Sequence, residues 1–298
     1  MVWLQRMEEE AREIRMPEEW GGVVPSLVFL DEARRIVEEG EKQGLILRAM
    51  GGVGIRLATL EHEELGQRLG RLGEGEQEFT DLDFVSYKKH RKQIRGFFES
   101  LGYSKRRATL SSAASERQIY FQEDGWFFVD VFFDKLKVAN HRLDFRGRLE
   151  LSPLTLSPTD LLLEKLQIVR LSEKDFKDSL MLLFAHELAE QDGEDTINAA
   201  YVGTLLSKDW GFWYTLTTNL KGITDLLPTV EALSDDERRI ITGRVNELLA
   251  HIDARPKSMG WKARSKIGPK KRWYEPVETE DTVGDFGIWR MRTEQRKE

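Results

Sequence analysis

The chain has 298 residues, 40% hydrophobic and 33% charged, enough apolar material for one or two cored domains rather than a disordered chain. Its 45 basic and 52 acidic residues leave a net charge of −7 with histidine neutral, which argues against indiscriminate DNA coating but allows a local basic patch. The absence of cysteine excludes disulfide frameworks, cysteine-ligated zinc, iron–sulfur clusters and thiol nucleophiles, so any metal must be held by oxygen or imidazole. No run approaches the roughly 18 apolar residues of a membrane span, and the expected location is cytoplasmic.

In chain order, residues 1–44 form an acidic segment, with an amphipathic helix expected from the spacing of Leu27, Leu30, Ala33, Ile36 and Val37 and ending near Gly40 or Gly44. The apolar run Leu45–Met50, stopped by Gly51-Gly52, predicts a buried strand and a tight turn, and a helix should follow from Val53 to about Leu72. Gly70–Gln77 is rich in glycine and glutamate and reads as a loop. From Asp81 to Tyr87 the alternation is strand-like, and a basic helix over Lys88–Leu101 should close at Gly102. Arg117–Gln122 and Trp126–Phe133 predict two strands around Glu123-Asp124-Gly125, a hairpin signal, and Arg142–Leu151 is expected to extend the sheet.

Beyond residue 153 the pattern turns helical. Ser157-Pro158-Thr159-Asp160 and Ser172-Glu173-Lys174-Asp175 are helix starts with a serine N-cap and an acid at the third helical position. Longer helices are expected over 195–206, 210–226 and 235–252. The predicted fold class is therefore α+β: a mixed-sheet domain over 45–152, a helical domain over 153–253 and a basic, aromatic tail over 254–298. No internal repeat is found.

Asp81 and Asp83 stand two apart on a strand and share a face, so their carboxylates repel unless a cation lies between them. A divalent metal explains the pair, as does a solvated strand end. Asp130 lies in Trp126–Phe133, which is otherwise almost wholly apolar, and a carboxylate buried there needs an arginine, a metal or a proton as partner. Gly51-Gly52 before a helix exposes backbone N–H groups to which a phosphate can come close, although a glycine pair alone is also a plain turn. Neither the dinucleotide-binding nor the P-loop glycine pattern is present. The five histidines are scattered, and His186-Glu187-Leu188-Ala189-Glu190 lacks the second histidine of a zinc protease. Trp210–Tyr214 reads as core or as a base-stacking cluster, and Lys88–Lys92 with Arg95 as a solvated face.

A strand ending in Gly-Gly, a helix, Thr80-Asp81-Leu82-Asp83 on the next strand and a third Asp on a later one resemble the nucleotidyltransferase fold of the DNA polymerase β type. Lys165-Leu166-Gln167-Ile168-Val169-Arg170, followed by Lys174-Asp175-Phe176-Lys177-Asp178, is similar to signatures of its AbiEii-like branch, which includes toxins of toxin–antitoxin pairs. The resemblance covers about residues 45–185. The gap from Gly52 to Asp81 is longer than usual, Gly52 replaces a more common Ser, and Ile168 stands where the branch often has Ala.

The resemblance implies that 45–152 is a catalytic domain transferring NMP from an NTP to a hydroxyl. Asp81, Asp83 and Asp130 would hold Mg²⁺ or Mn²⁺, with Asp130 also serving as general base. Thr80, Gly51, Gly52 and Arg56 would hold the phosphates and Lys165 would neutralise them. Asp175 is explained equally by capping from Ser172, whereas Asp178, three residues on, escapes that account and is the better functional candidate.

Arg255–Tyr274 carries eight basic residues and no acid, interleaved with Trp261, Trp273 and Tyr274. It reads either as an RNA- or tRNA-binding surface or as an arm packed on the acidic N-terminal region. An antitoxin is a further expected partner if the toxin reading holds. The alternatives are a non-catalytic nucleotide- or RNA-binding module with the same fold and a small-molecule, antibiotic-type nucleotidyltransferase.

Overall fold

The computed structural model describes residues 17–71, 78–105, 117–122, 126, 128–137 and 139–276. Helix α1 (Ser26–Lys42) buries Phe29, Leu30, Ala33, Ile36 and Val37 along one stripe, as the period of its apolar residues requires. It stops before Gly44, whose φ of 72° turns the chain into β1 (Leu47–Met50). The buried face of α1 shares a core with Leu82, Phe84, Val129, Val131 and Phe133 of the sheet, so packing joins α1 to the domain that follows it.

The single helix expected after Gly51-Gly52 is divided into α2 (Gly51–Ala58), a short 3-10 turn at Leu60–His62 and α3 (Glu63–Leu69). Thr59 causes the break. Its hydroxyl donates to the Ile55 carbonyl at 2.9 Å, while its N–H turns to the Arg56 carbonyl at 3.3 Å.

Strand β2 (Asp81–Ser86) pairs antiparallel with β1 and parallel with β5 (Phe128–Phe133). Between them in sequence lie α4 (Arg91–Ser100), β3 (Tyr103–Lys105) and β4 (Gln118–Gln122), giving the order β1-β2-β5-β4-β3. Strands β4 and β5 pair antiparallel as a hairpin should, although the Asp124-Gly125 turn itself lies outside the described residues, as does most of the Gly70–Gln77 loop. Two short strands, β6 (Lys135–Leu136) and β7 (Leu143–Asp144), extend the sheet from β5. The strand expected over Arg142–Leu151 shrinks to β7, because the chain then turns through Gly147 at φ 73° to bury Arg148.

Alternation along β2 and β5 divides the sheet's side chains between two cores. Leu82, Phe84, Val129, Val131 and Phe133 face α1 and α4. Val85 and Phe132 face a second core shared with the helical half, and Asp81, Asp83 and Asp130 take the same parity as these two. The helical half comprises α5 (Pro158–Leu166), α6 (Glu173–Ala185), a two-stranded pair of β8 (Glu187–Ala189) and β9 (Thr196–Asn198), α7 (Ala199–Leu206), α8 (Trp210–Leu226) and α9 (Asp235–Ala254). The serine caps form as the sequence predicts: Asp160 N–H donates to Ser157 Oγ at 3.2 Å and Asp175 N–H to Ser172 Oγ at 3.3 Å. Arg148 ties the halves together. Its Nε reaches Asp160 at 2.8 and 2.9 Å, Nη2 reaches Asp192 at 3.0 Å, and the guanidinium lies 3.8 Å from the Tyr201 ring centroid.

Within the described residues the basic tail is folded. Helix α10 (Met259–Ile267) packs on α8, with Trp261 against Trp213 and Trp273 against Tyr214, both edge-to-face at 5.0 Å. Trp273 Nε1 donates to Thr215 Oγ1 at 3.0 Å. These rings therefore anchor the tail to the helical half, and among the described residues Lys262, Lys266, Lys270, Lys271 and Arg272 are exposed. No helix among the described residues is long and apolar enough to cross a membrane.

Close packing of α2 on β1 depends on Gly54, because a Cβ there would lie 2.8 Å from the Ala49 carbonyl oxygen. Gly54→Ala is expected to lower stability by about 1–3 kcal/mol, read as a lower urea midpoint with an unchanged m-value.

Candidate active site

The site forms where β1 passes into α2. Gly51 has a φ of 65°, and a Cβ on it would lie 2.7 Å from Asp83 Oδ2. Only glycine fits this position without strain. A Cβ on Gly52 would meet the Arg71 guanidinium carbon at 2.6 Å, so the glycine pair packs an aspartate against one residue and an arginine against the next.

Strand register supplies the carboxylates. Met50 pairs with Asp83 across β1 and β2, and Asp83 pairs with Asp130 across the parallel strands β2 and β5. Asp81 lies two residues before Asp83 on the same face. Asp130 Oδ2 accepts from Arg117 Nη1 at 2.6 Å.

Helix α5 contributes Glu164 and Lys165. Glu164 Oε2 accepts the Gly51 N–H at 3.1 Å, placing a carboxylate at the start of α2. Lys165 Nζ lies 2.9 Å from Asp175 Oδ1 and 3.1 Å from Asp178 Oδ2, all three side chains buried. Asp178 also receives Arg71 Nε at 2.9 and 3.2 Å. Asp175 accordingly does both things its position allowed: its N–H donates to Ser172, and its carboxylate holds Lys165. A cleft of about 450 Å³ is lined by Gly51, Gly52, Thr80, Asp81, Asp83 and Lys165, among others.

The electrostatics are uneven. Burial, then the Asp81, Asp130 and Glu164 carboxylates, push the Asp83 carboxyl well above the ordinary carboxylate range, with Lys165 opposing them. Burial likewise raises Glu164, against Lys165 and the Gly51 N–H. Burial alone would lower Lys165, yet Asp175, Asp178 and Glu164 outweigh it and hold the ammonium charged. For Asp175 burial works upward, but Lys165 and Ser172 prevail and the carboxyl stays ionised below its usual value.

Among the described residues no three acidic or histidine side chains are gathered into a shell that would hold a metal ion. The donor chemistry nevertheless fits a hard divalent cation. Asp81, Asp83 and Asp130 are oxygen donors on two adjacent strands, and Asp83 is destabilised as an anion by its neighbours, a strain that a cation would relieve.

Of the residues singled out in the sequence, Gly51, Gly52, Thr80, Asp81, Asp83, Lys165 and Asp175 line the cleft. Asp130 adjoins it in register with Asp83, and Asp178 lies behind Lys165. Arg56, one turn along α2, lines adjoining cavities instead. Three residues escaped the sequence reading: Arg71, Arg117 and Glu164. Glu164 was open to inference, since an acid beside Lys165 in the apolar run Leu161–Leu166 has to find a partner. Arg71 was not, because its contact with Asp178 spans 107 residues.

Lys165→Met strips the buried Asp175 and Asp178 of a shared cation and is expected to cost about 3–5 kcal/mol in denaturant unfolding. Asp83 carries the opposite sign. A carboxyl whose pKa rises on folding binds its proton more tightly folded than unfolded, so ionising it subtracts stability, with no penalty below the ordinary carboxylate range and a growing one as pH rises through it. In metal-free buffer Asp83→Asn should therefore be more stable than the wild type at pH 7 and equal to it near about pH 3, and a gain that persists at the lower pH would refute this origin.

No protein-family model and no curated protein matches the chain. Among solved structures it is similar to a solution structure of the antibiotic-resistance factor ANT(2'')-Ia, at 12% identity and a TM-score of 0.29, over 83% of this chain and 100% of that one. A crystal structure of ANT(2'')-Ia in complex with adenylyl-2''-tobramycin gives the same identity and TM-score, over 79% of this chain and 98% of that one. A likeness of this size carries no argument about fold or chemistry, and the site stands on its own geometry.

Proposed function

We propose that the chain is a metal-dependent nucleotidyltransferase that moves NMP from an NTP to a hydroxyl acceptor. The observation that carries this reading is the junction at Gly51, where the glycine turn packs directly against Asp83, itself in register with Asp130, on the wall of one cleft. Phosphoryl-transfer sites need this pairing of backbone donors for the polyphosphate with carboxylates for hard cations.

Asp81, Asp83 and Asp130 would hold Mg²⁺ or Mn²⁺, which, when bound, neutralises phosphate charge and favours ionisation of the attacking hydroxyl. The chain's own residues do the rest. Gly52 offers its N–H to the phosphates, the Gly51 N–H being held by Glu164, with Thr80 on the cleft wall as a further donor. Lys165, kept charged by Asp175 and Asp178, places its ammonium on the cleft wall, where it can pair with a phosphate oxygen. Asp130 accepts the acceptor's proton as its oxygen bonds to the α-phosphorus and the bond to pyrophosphate breaks.

RNA is the favoured acceptor. The tail that carries the exposed cations is tied to the cleft at Glu275: its N–H donates to the Asn140 carbonyl at 3.0 Å, Asn140 Nδ2 donates to the Glu275 carbonyl at 2.8 Å, and Asn140 lines the cleft. A fixed basic surface beside a transfer site suits a polyanion. With the rings packed, its contribution is phosphate contact rather than base stacking. The AbiEii-like placement, and with it a toxin role, rests on the Lys165–Asp178 segment.

The test is incubation with labelled NTPs, Mg²⁺ and either total RNA or an aminoglycoside. The wild type should label RNA, and Asp81→Ala should reduce labelling about 100-fold or more. Equal labelling by both proteins would sink the assignment, and labelling of the aminoglycoside alone would replace the acceptor.

A further inference from the structure

The cleft is not uniformly charged. Beyond Asp130 the same face of β5 carries Phe132, and the chain runs on to Leu136 and Ala139, all three on the cleft wall together with Ile168. Set into this apolar stretch is Gln167. It is only 5% exposed, and its Oε1 accepts the His141 N–H at 3.0 Å. A backbone N–H meets only the oxygen of a carboxamide, so the two ends of this amide are assigned: Oε1 is engaged by the protein, and Nε2 points the other way. Among the described residues Nε2 has no hydrogen-bond partner, and it is open to the cleft rather than sealed in the core.

The amide cannot turn aside to find a partner, because the chain around it is fixed. Asn219 Nδ2 donates to the Leu166 and Ile168 carbonyls at 3.0 and 2.8 Å, and Asn140 Oδ1 accepts the Val169 N–H at 2.8 Å. His141 is held as firmly. Its ring stacks on Phe212 with centroids 5.0 Å apart, and its Nε2 lies 2.8 Å from Thr215 Oγ1, the oxygen that takes the Trp273 N–H. A fixed carboxamide showing unmatched N–H donors on an apolar wall costs about 1–3 kcal/mol when water is excluded, which a ligand acceptor removes. A flat heteroaromatic ring answers both features, since its faces suit the apolar wall and its edge carries acceptors in the ring plane.

We propose that Gln167 selects a nucleobase: the base lies in the slot walled by Leu136, Ala139 and Ile168, with a pyrimidine carbonyl or a purine ring nitrogen accepting from Nε2. The inference deepens the transfer reading and rests on it for the presence of a nucleotide. The base belongs either to the NTP or to the terminal nucleotide of an RNA acceptor.

Calorimetric titration of the full chain tests the proposal in two series, non-hydrolysable analogues of the four NTPs with Mg²⁺ and RNA oligonucleotides that differ only in the 3′-terminal nucleotide. In one series the wild type should favour one base over the least favoured by about tenfold or more. Gln167→Glu keeps an oxygen for the His141 N–H but turns the donor into an acceptor, and should abolish or reorder that preference. Its added charge weakens inorganic tripolyphosphate and every NTP alike, so the ratio between bases reports Nε2 alone. Ile168→Trp, at a partly exposed position, fills the slot and should bring the four bases together while tripolyphosphate binds as in the wild type. A preference among the NTPs assigns the slot to the NTP, and one among the oligonucleotides assigns it to the acceptor. Equal affinities within both series, or a preference that both variants leave unchanged, overturns the proposal and leaves the transfer reading standing. Base-selective binding that both variants remove, in a protein that labels no acceptor, overturns the transfer reading alone, and no binding in either series overturns both.

Discussion

Lys165 is the charge on which the centre of this molecule depends. Its ammonium is buried at the junction of α5 and α6, held by Asp175 and Asp178, while its neighbour Glu164 accepts the N–H of Gly51. Asp178 in turn holds Arg71, which packs on Gly52. One connected set of ions thus fixes the helical half against the glycine turn and both against the carboxylate strands. An apolar residue of similar shape could fill the volume, but it would leave Asp175 without a cation and Asp178 with Arg71 alone, and the cleft wall would lose its ammonium.

The cleft has an excess of negative charge on one wall and a matched cation on the other. Asp83 is costly to ionise because it is buried, with the Asp81 and Asp130 carboxylates beside it, and the glycine turn leaves it no room to withdraw. Polar groups held in this way are costly to the fold and useful to chemistry, since a cation entering the cleft gains what the empty protein lacks. Arg56 is sheltered differently, in a notch at Gly66 with the Glu63 and Glu78 carboxylates as its ionic neighbours.

Much of this was legible from local pattern. The strand–glycine–helix junction, the shared face of Asp81 and Asp83, the serine caps at Ser157 and Ser172, and helices such as Trp210–Leu226 follow from periods and capping chemistry that act within a few residues. Local rules failed where a side chain competed with the backbone, as Thr59 does in dividing α2 from α3, or where burial of a distant partner overrode strand propensity, as Arg148 does near Asp160 and Asp192. The tail shows a third limit: alternating rings and cations describe equally an RNA platform and a docking arm, and the rings proved to be the docking part.

The sequence by itself determined which residues could carry charge into the core and on which face of their own element they would lie, because backbone geometry fixes the direction of each side chain relative to its neighbours. Tertiary structure alone decided which of those charges meet. The parallel register of β2 and β5 set Asp83 beside Asp130, and contacts spanning a hundred residues or more joined Arg71 to Asp178 and Gly51 to Glu164. Arg56, one turn beyond the glycine pair on the same helix, was turned away from the cleft into a cavity of its own, since its position depends on a gap left by Gly66 on another helix.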